Sequence, residues 1–95
     1  MNDIDILADQ IKEQADRLFP ERTDTSMYLK LYGEVAEMID AKPGEVEGEL
    51  ADVLIMVLDF AKRRHIDIAT VVRRKMAIND QRQWTVNELG VARHV

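Results

Sequence analysis

Residues 34–52 read EVAEMIDAKPGEVEGELAD, and this stretch decides the fold. Pro43-Gly44 lies at its centre, and apolar residues at helical spacing continue on both sides. Proline and glycine end helices, so the stretch predicts two helices that double back through a short turn. With apolar stripes of the same period elsewhere in the chain, we predict an all-α protein resembling a four-helix bundle.

The stripes predict four helices, at about residues 3–18, 25–41, 45–64 and 68–83. Phe19-Pro20 ends the first helix, Asp24 or Thr25 is expected to cap the second, and Asp67 the fourth. The third helix is apolar nearly all round, which predicts a place at the centre of the bundle or at a subunit interface. Residues 85–95 are expected to form a tail or an arm used in oligomerisation.

The chain has 95 residues, with 13 Lys and Arg against 18 Asp and Glu, and no cysteine. This length predicts a single domain over residues 1–95, whose small core we expect a partner subunit to supplement. The lack of cysteine excludes a disulfide scaffold and a thiolate metal site. An acidic start, no long apolar run and a net charge of −5 predict a cytoplasmic protein that binds neither membranes nor nucleic acid.

Charge is divided unevenly along the chain. Residues 34–59 contain eight acids and one base, whereas residues 62–82 contain seven bases and two acids. This division suits an ion-pairing surface, or alternatively a metal site beside an anion site.

The acidic half contains two pairs of carboxylates at helical spacing. Glu34 and Glu37 are three residues apart, as are Glu49 and Asp52, so each pair projects from one helical face. Pro43 lies midway between Glu34 and Asp52, and also midway between Glu37 and Glu49. Residues equally distant from the turn lie at one level of a helical hairpin. The four carboxylates are therefore predicted to converge.

Asp52 stands in an apolar helix, so we expect it to be at least partly buried and to need a cation. Clustered oxygen ligands without histidine or cysteine suit Mg²⁺ first and Mn²⁺ second. The alternative is that all four acids lie on solvated faces, with Lys30 pairing Glu34.

The fourth helix carries a stripe that changes from apolar to polar. Lys75, Asn79 and Arg82 continue the stripe of Ile68 and its apolar neighbours, so they are predicted to face the bundle and bind an anion. The alternative is that these cations only complement the helix dipole. Trp84 is either a stacking wall for a base or a core residue, and the second interpretation is favoured.

Three segments together resemble the MazG-like family of all-α nucleoside triphosphate pyrophosphohydrolases. They are KLYGEVAE at 30–37, ELADVL at 49–54 and KMAINDQRQW at 75–84, in the order of that family's Glu-x-x-Glu, Glu-x-x-Asp and Lys-x-x-x-Asn-x-x-Arg elements. One departure is Gly33, where many members have a further glutamate and a branch similar to the dCTP-cleaving members has glycine.

The resemblance implies a Mg²⁺-dependent enzyme, with Mn²⁺ as a possible substitute, that cleaves a (d)NTP to a (d)NMP and pyrophosphate. It implies metal binding and catalysis by Glu34, Glu37, Glu49 and Asp52, and substrate binding by Lys30, Lys75, Asn79 and Arg82. It also implies a homodimer or a homotetramer of two dimers. Two alternatives stay open: a phosphoribosyl-ATP-type pyrophosphohydrolase, and a non-catalytic helical oligomerisation or regulatory module.

Overall fold

A computed structural model describes residues 3–95 as four helices followed by a small β hairpin. The elements are α1 (Asp3–Leu18), α2 (Asp24–Ile39), α3 (Val46–Arg63), α4 (Ile68–Gln81), β1 (Trp84–Val86) and β2 (Ala92–His94). The all-α prediction is confirmed, and α1 has the predicted bounds. The first two residues of the predicted domain lie outside the described range.

Capping side chains set where two of the helices begin. Thr23 caps α2: its Oγ1 accepts from Ser26 N at 3.1 Å, and its own N–H donates to Ser26 Oγ at 2.8 Å. The predicted cap at Asp24 or Thr25 is therefore wrong, because the reciprocal Thr23–Ser26 pair satisfies the free N–H groups one residue earlier. Asp67 caps α4 as predicted.

The α2 and α3 helices form the predicted hairpin through the turn around Pro43-Gly44. α3 packs against both α1 and α2, which confirms its central position. Ala8, Ile11 and Leu58 form the buried core between α1 and α3, and Ile68 at the start of α4 packs against it. The helix hairpin thus projects its turn away from this core.

α4 departs from the predicted bundle after its first turn. It packs sparsely, against α1, and contains no buried residue. Val71 and Val72 are 43% and 47% exposed, so the prediction that their stripe faces the bundle is wrong within this chain. Within the described residues, Ile68 is the one member of the α4 apolar stripe that packs against the core, and the rest of the stripe is exposed.

The C-terminal segment is a β hairpin, which the sequence analysis did not predict. β1 pairs antiparallel with β2, with Trp84 opposite His94 and Val86 opposite Ala92. Asn87 Oδ1 accepts two backbone N–H bonds in the loop, and Gly90 has a φ of 80°, which glycine adopts readily. Asn87 and Gly90 were the available signals of a turn between two short strands.

Candidate active site

Three of the four predicted carboxylates meet where α2 and α3 lie side by side. One oxygen from each of Glu34, Glu49 and Asp52 lies within 4.8 Å of the other two. The i, i+3 spacing on α3 and the antiparallel path of α2 produce this meeting, as the equal distances from Pro43 predicted. Oxygen atoms at this separation can share one cation or bridge several.

Two buried carboxylate oxygens in this group have no hydrogen-bond partner in the described chain, namely Glu34 Oε2 and Glu49 Oε2. Buried carboxylate oxygens normally have a partner, because leaving them unpaired is costly. A hard divalent cation satisfies such oxygens, so the donor set fits Mg²⁺ or Mn²⁺.

Lys30 occupies the other oxygen of Glu34. Its Nζ lies 2.8 Å from Glu34 Oε1, while the lysine side chain remains largely exposed. This hydrogen bond lowers the pKa of Glu34, although burial opposes the shift. The pairing that stood as an alternative to a metal site is therefore present, and it leaves Glu34 Oε2 free for a cation.

Glu37 lies beside the three-carboxylate group rather than within it. The neighbouring Glu34 carboxylate raises the pKa of Glu37, because it can accept a hydrogen bond from the protonated form and repels the charged form. Glu49 adds to this repulsion. The two members of the first pair thus differ in electrostatic environment: a cationic partner holds Glu34 ionised, and Glu37 has acidic neighbours.

The buried member of the group is Glu34, at 5% exposure, whereas Asp52 is exposed. The expectation that Asp52 would be at least partly buried is wrong within this chain. Ile55, one turn further along the same face of α3, is 39% exposed, so this face is only partly covered within the described residues.

The basic residues of α4 are not brought to the carboxylates within the described chain. Lys75 is exposed, and Asn79 and Arg82 are partly buried. Asn79 Oδ1 is buried without a hydrogen-bond partner, while its backbone oxygen accepts from Trp84 Nε1 at 2.9 Å. Trp84 is 45% exposed and packs edge-on against His94, so it is not a residue of the core.

Gly33, which departs from the commonest family pattern, lies on the exposed side of α2. A Cβ at this position would meet no atom within 4 Å. Packing within the chain therefore does not require glycine next to Glu34.

Sequence reasoning missed a cavity of about 620 Å³ next to the carboxylates. It lies between the end of α1, the 19–22 loop, the start of α2 and the middle of α3, and Lys30 lies on its wall. Arg22 and Asp59 form an ion pair at its edge, with Nε and Oδ2 2.8 Å apart. The only available signal was Asp59, an acid inside an apolar helix, which was counted only as part of the acidic half.

Among the described residues, no helix is both long enough and apolar enough to cross a membrane.

The model of the MazG nucleotide pyrophosphohydrolase domain matches residues 22–86, which contain both carboxylate pairs and the basic end of α4. The chain belongs to this family, whose name describes hydrolases of phosphoric anhydrides. The identification rests on the same residues that carried the sequence resemblance.

A solved structure supports the same assignment. The Cyanophage S-2L MazG-like pyrophosphohydrolase, bound to dGDP and three catalytic Mn²⁺ ions per active site, aligns with a TM-score of 0.88 and 32% identity. The alignment covers 99% of this chain and 94% of that one.

Two phage proteins named dATP/dGTP diphosphohydrolase are similar in sequence. The one from Cyanophage S-2L is 36% identical over 78 residues, which cover 82% of this chain and 74% of that protein. The one from Salmonella phage PMBT28 is 49% identical over 81 residues, which cover 85% of this chain. This chain spans only 28% of the length of the Salmonella phage protein.

Proposed function

We propose that this chain hydrolyses purine deoxynucleoside triphosphates to the monophosphate and pyrophosphate, with Mg²⁺ or Mn²⁺ as cofactor. The observation that carries the proposal is the group of Glu34, Glu49 and Asp52, two of which present buried, unpartnered oxygens. The purine preference rests on the dATP/dGTP names of both phage relatives and on the dGDP bound by the solved structure.

In the reaction, water attacks the α-phosphorus and the bond from that phosphorus to the α–β bridging oxygen breaks. Pyrophosphate leaves with the bridging oxygen, and the proton lost by the water passes to solvent. Divalent cations supply two effects in such a site, which are neutralisation of phosphate charge and a lower pKa for bound water. We assign Glu34, Glu49 and Asp52 to holding these cations, with Glu37 as the fourth carboxylate beside them.

The remaining assignments concern the substrate. Lys30 projects into solvent from the carboxylate group and provides a mobile charge for a phosphate oxygen. Lys75, Asn79 and Arg82 are assigned to the triphosphate as well, and we propose that a second copy of the chain brings them to the carboxylates. A homodimer or a homotetramer of two dimers provides that copy.

The test is pyrophosphate release from the common ribo- and deoxyribonucleoside triphosphates, with Mg²⁺ and with Mn²⁺. We expect Glu49→Gln to lower the rate by about 100-fold or more, because it removes a charge at the centre of the site. Glu47→Gln is the matched control, since Glu47 is an exposed glutamate on the same helix outside the group. Calorimetry with Mn²⁺ should show saturable binding that Glu49→Gln weakens and Glu47→Gln leaves unchanged.

Several results would contradict the proposal. A folded wild-type protein that releases no pyrophosphate from any of these substrates overturns it, and phosphoribosyl-ATP in the same panel identifies the neighbouring activity. Saturable metal binding without any turnover would instead favour the non-catalytic module.

A further inference from the structure

The 620 Å³ cavity beside Lys30 continues the groove that contains the carboxylates. Ser26, Lys30 and Glu34 follow one another at intervals of four along one face of α2, and the first two line the cavity. On α3, Ile55 and Met56 line it one turn beyond Asp52. Cavity and carboxylates thus occupy consecutive turns of the same helix pair, so a molecule bound by its phosphates at one extends into the other.

The cavity has the size and chemistry of a small-molecule site. Such sites measure roughly 300 to 1,000 Å³ and combine apolar walls with a few polar groups. Most of the side chains around this cavity are apolar, including Ile11, Leu18 and Met56. Phe19 also lines it and is 61% exposed, so its ring is available for stacking on a planar ligand.

Most polar groups in the wall already have partners. Arg22 and Asp59 bond to each other, and Ser26 Oγ bonds to Thr23. Gln14 and Glu21 are different, because no hydrogen bond or ion pair engages either side chain within residues 3–95. Two polar side chains without partners therefore remain for the edge of a ligand.

Resting on the function proposed above, we infer that this cavity is the purine subsite, with Phe19 stacking on the base and Glu21 and Gln14 reading its edges. A carboxylate accepts from the N1–H and N2 amino groups of guanine, whereas the N1 of adenine is itself an acceptor. The amide of Gln14 both donates and accepts, so it can serve either purine. Glu21 is then the residue that separates guanine from adenine.

The test measures binding of the monophosphates dGMP and dAMP by calorimetry in the presence of EDTA, so that contacts between phosphate and metal ions do not contribute. Phe19→Ala is expected to weaken both ligands by about tenfold, because stacking on an aromatic ring does not depend on the base. Glu21→Gln should weaken dGMP about tenfold or more relative to dAMP, since it removes a charged acceptor. Glu13→Gln is the matched control, because Glu13 lines a different groove of α1.

The substituted residues are exposed, and thermal melts verify that each variant folds. Unchanged affinities in Phe19→Ala, an unchanged dGMP to dAMP ratio in Glu21→Gln, or an equal effect of Glu13→Gln overturns the subsite. A different result would count against the proposed function and not against the subsite. In that case no pyrophosphate is released, while selective dGMP binding remains. If Glu21→Gln releases pyrophosphate with the same base preference as wild type, the subsite is overturned and the proposed function stands.

Discussion

Arg22 shows how one side chain joins three parts of the structure. Its guanidinium donates to both carboxylate oxygens of Asp59 on α3, at 2.8 and 2.9 Å, and to Asp16 on α1 at 2.8 Å. A further bond reaches the Phe19 carbonyl at 3.2 Å. Asp59 raises the pKa of Arg22 most, and Asp16 adds to the shift. Arg22 therefore fixes the 19–22 loop, and with it one wall of the cavity.

The Arg22–Asp59 pair is predicted to matter for stability because both side chains are largely buried, at 10% and 5% exposure. Asp59→Ala leaves a guanidinium buried beside a cavity without its main partner, and should lower the free energy of unfolding by about 3 kcal/mol. Denaturation in urea measures this loss. Asp16→Ala is the control, because Asp16 is half exposed and screened by water, and it should cost far less. Equal losses in the two variants would contradict this account of the network.

The carboxylate site was more predictable than its surroundings, because the number of residues on each side of a helix hairpin's turn determines which side chains lie at the same level. Glu34, Glu49 and Asp52 meet as their distances from Pro43 required. Burial depends on which other elements cover a helix, and residue spacing within the helix does not reveal them. Asp52 was therefore expected to be buried, whereas it lies exposed. The cavity was missed for a related reason: it depends on the 19–22 loop, which a long-range ion pair positions.

Among the secondary-structure elements, local sequence signals predicted the helices well and the C-terminal segment poorly. Asp67 was identified as a cap because its side chain can satisfy free N–H groups within its own turn. The hairpin after Gln81 was missed because its strands are only three residues each and every residue in them is exposed, so neither shows an alternating pattern. The predicted packing of α4 against the bundle was also wrong, since Ile68 is the one residue of its apolar stripe that packs against the described core.

The Asp67 cap makes the start of α4 sensitive to pH. The Thr70 N–H donates to Asp67 Oδ1 at 3.2 Å and the Thr70 hydroxyl donates to Oδ2 at 2.9 Å. These bonds lower the pKa of Asp67 from its ordinary value of 3.8. A carboxylate with a lowered folded-state pKa contributes stability above its unfolded pKa and loses it as the pH falls through the folded pKa.

Asp67→Ala should therefore lower the melting temperature at about pH 7, and the gap from wild type should shrink at acidic pH, as the wild-type Asp67 takes up a proton and loses the charge. Thermal melts followed by circular dichroism at the two pH values measure the gap. Glu88→Ala removes an exposed acid in the hairpin loop and serves as the control, with no loss expected at either pH. A gap of constant size across the range would show that the ionised cap is not the cause.

The chain as a whole is more extended than a compact domain of its length. Its radius of gyration is 15.6 Å, against about 12 Å for a compact domain of this length. Its accessible surface is 7618 Å², against about 5,600 Å² for a compact monomer of 10.9 kDa. The excess of roughly 2,000 Å² exceeds the 800 Å² or so that each partner buries in a standard interface.

The uncovered surface includes a row of exposed apolar side chains along one face of α2. Leu29, Tyr32 and Ile39 are 69%, 81% and 77% exposed and follow one helical face. Exposed apolar patches of this extent mark contacts with another protein. The isolated two-stranded hairpin adds to this argument, because such a hairpin is at best marginally stable without further packing. In the proposed assembly, a second copy would cover these elements and bring the basic end of α4 to the carboxylates.

We therefore predict that the chain is a dimer or tetramer in solution and that its melting temperature rises with protein concentration. Leu29→Glu places a charge on the α2 face and should shift the mass measured by light scattering toward the monomer. It should also weaken pyrophosphate release, because Lys75, Asn79 and Arg82 would no longer reach the carboxylates. Asp40→Lys changes an exposed charge just beyond α2 and should leave the mass unaltered. A wild-type protein that stays monomeric, with a melting temperature independent of concentration, would contradict the predicted assembly.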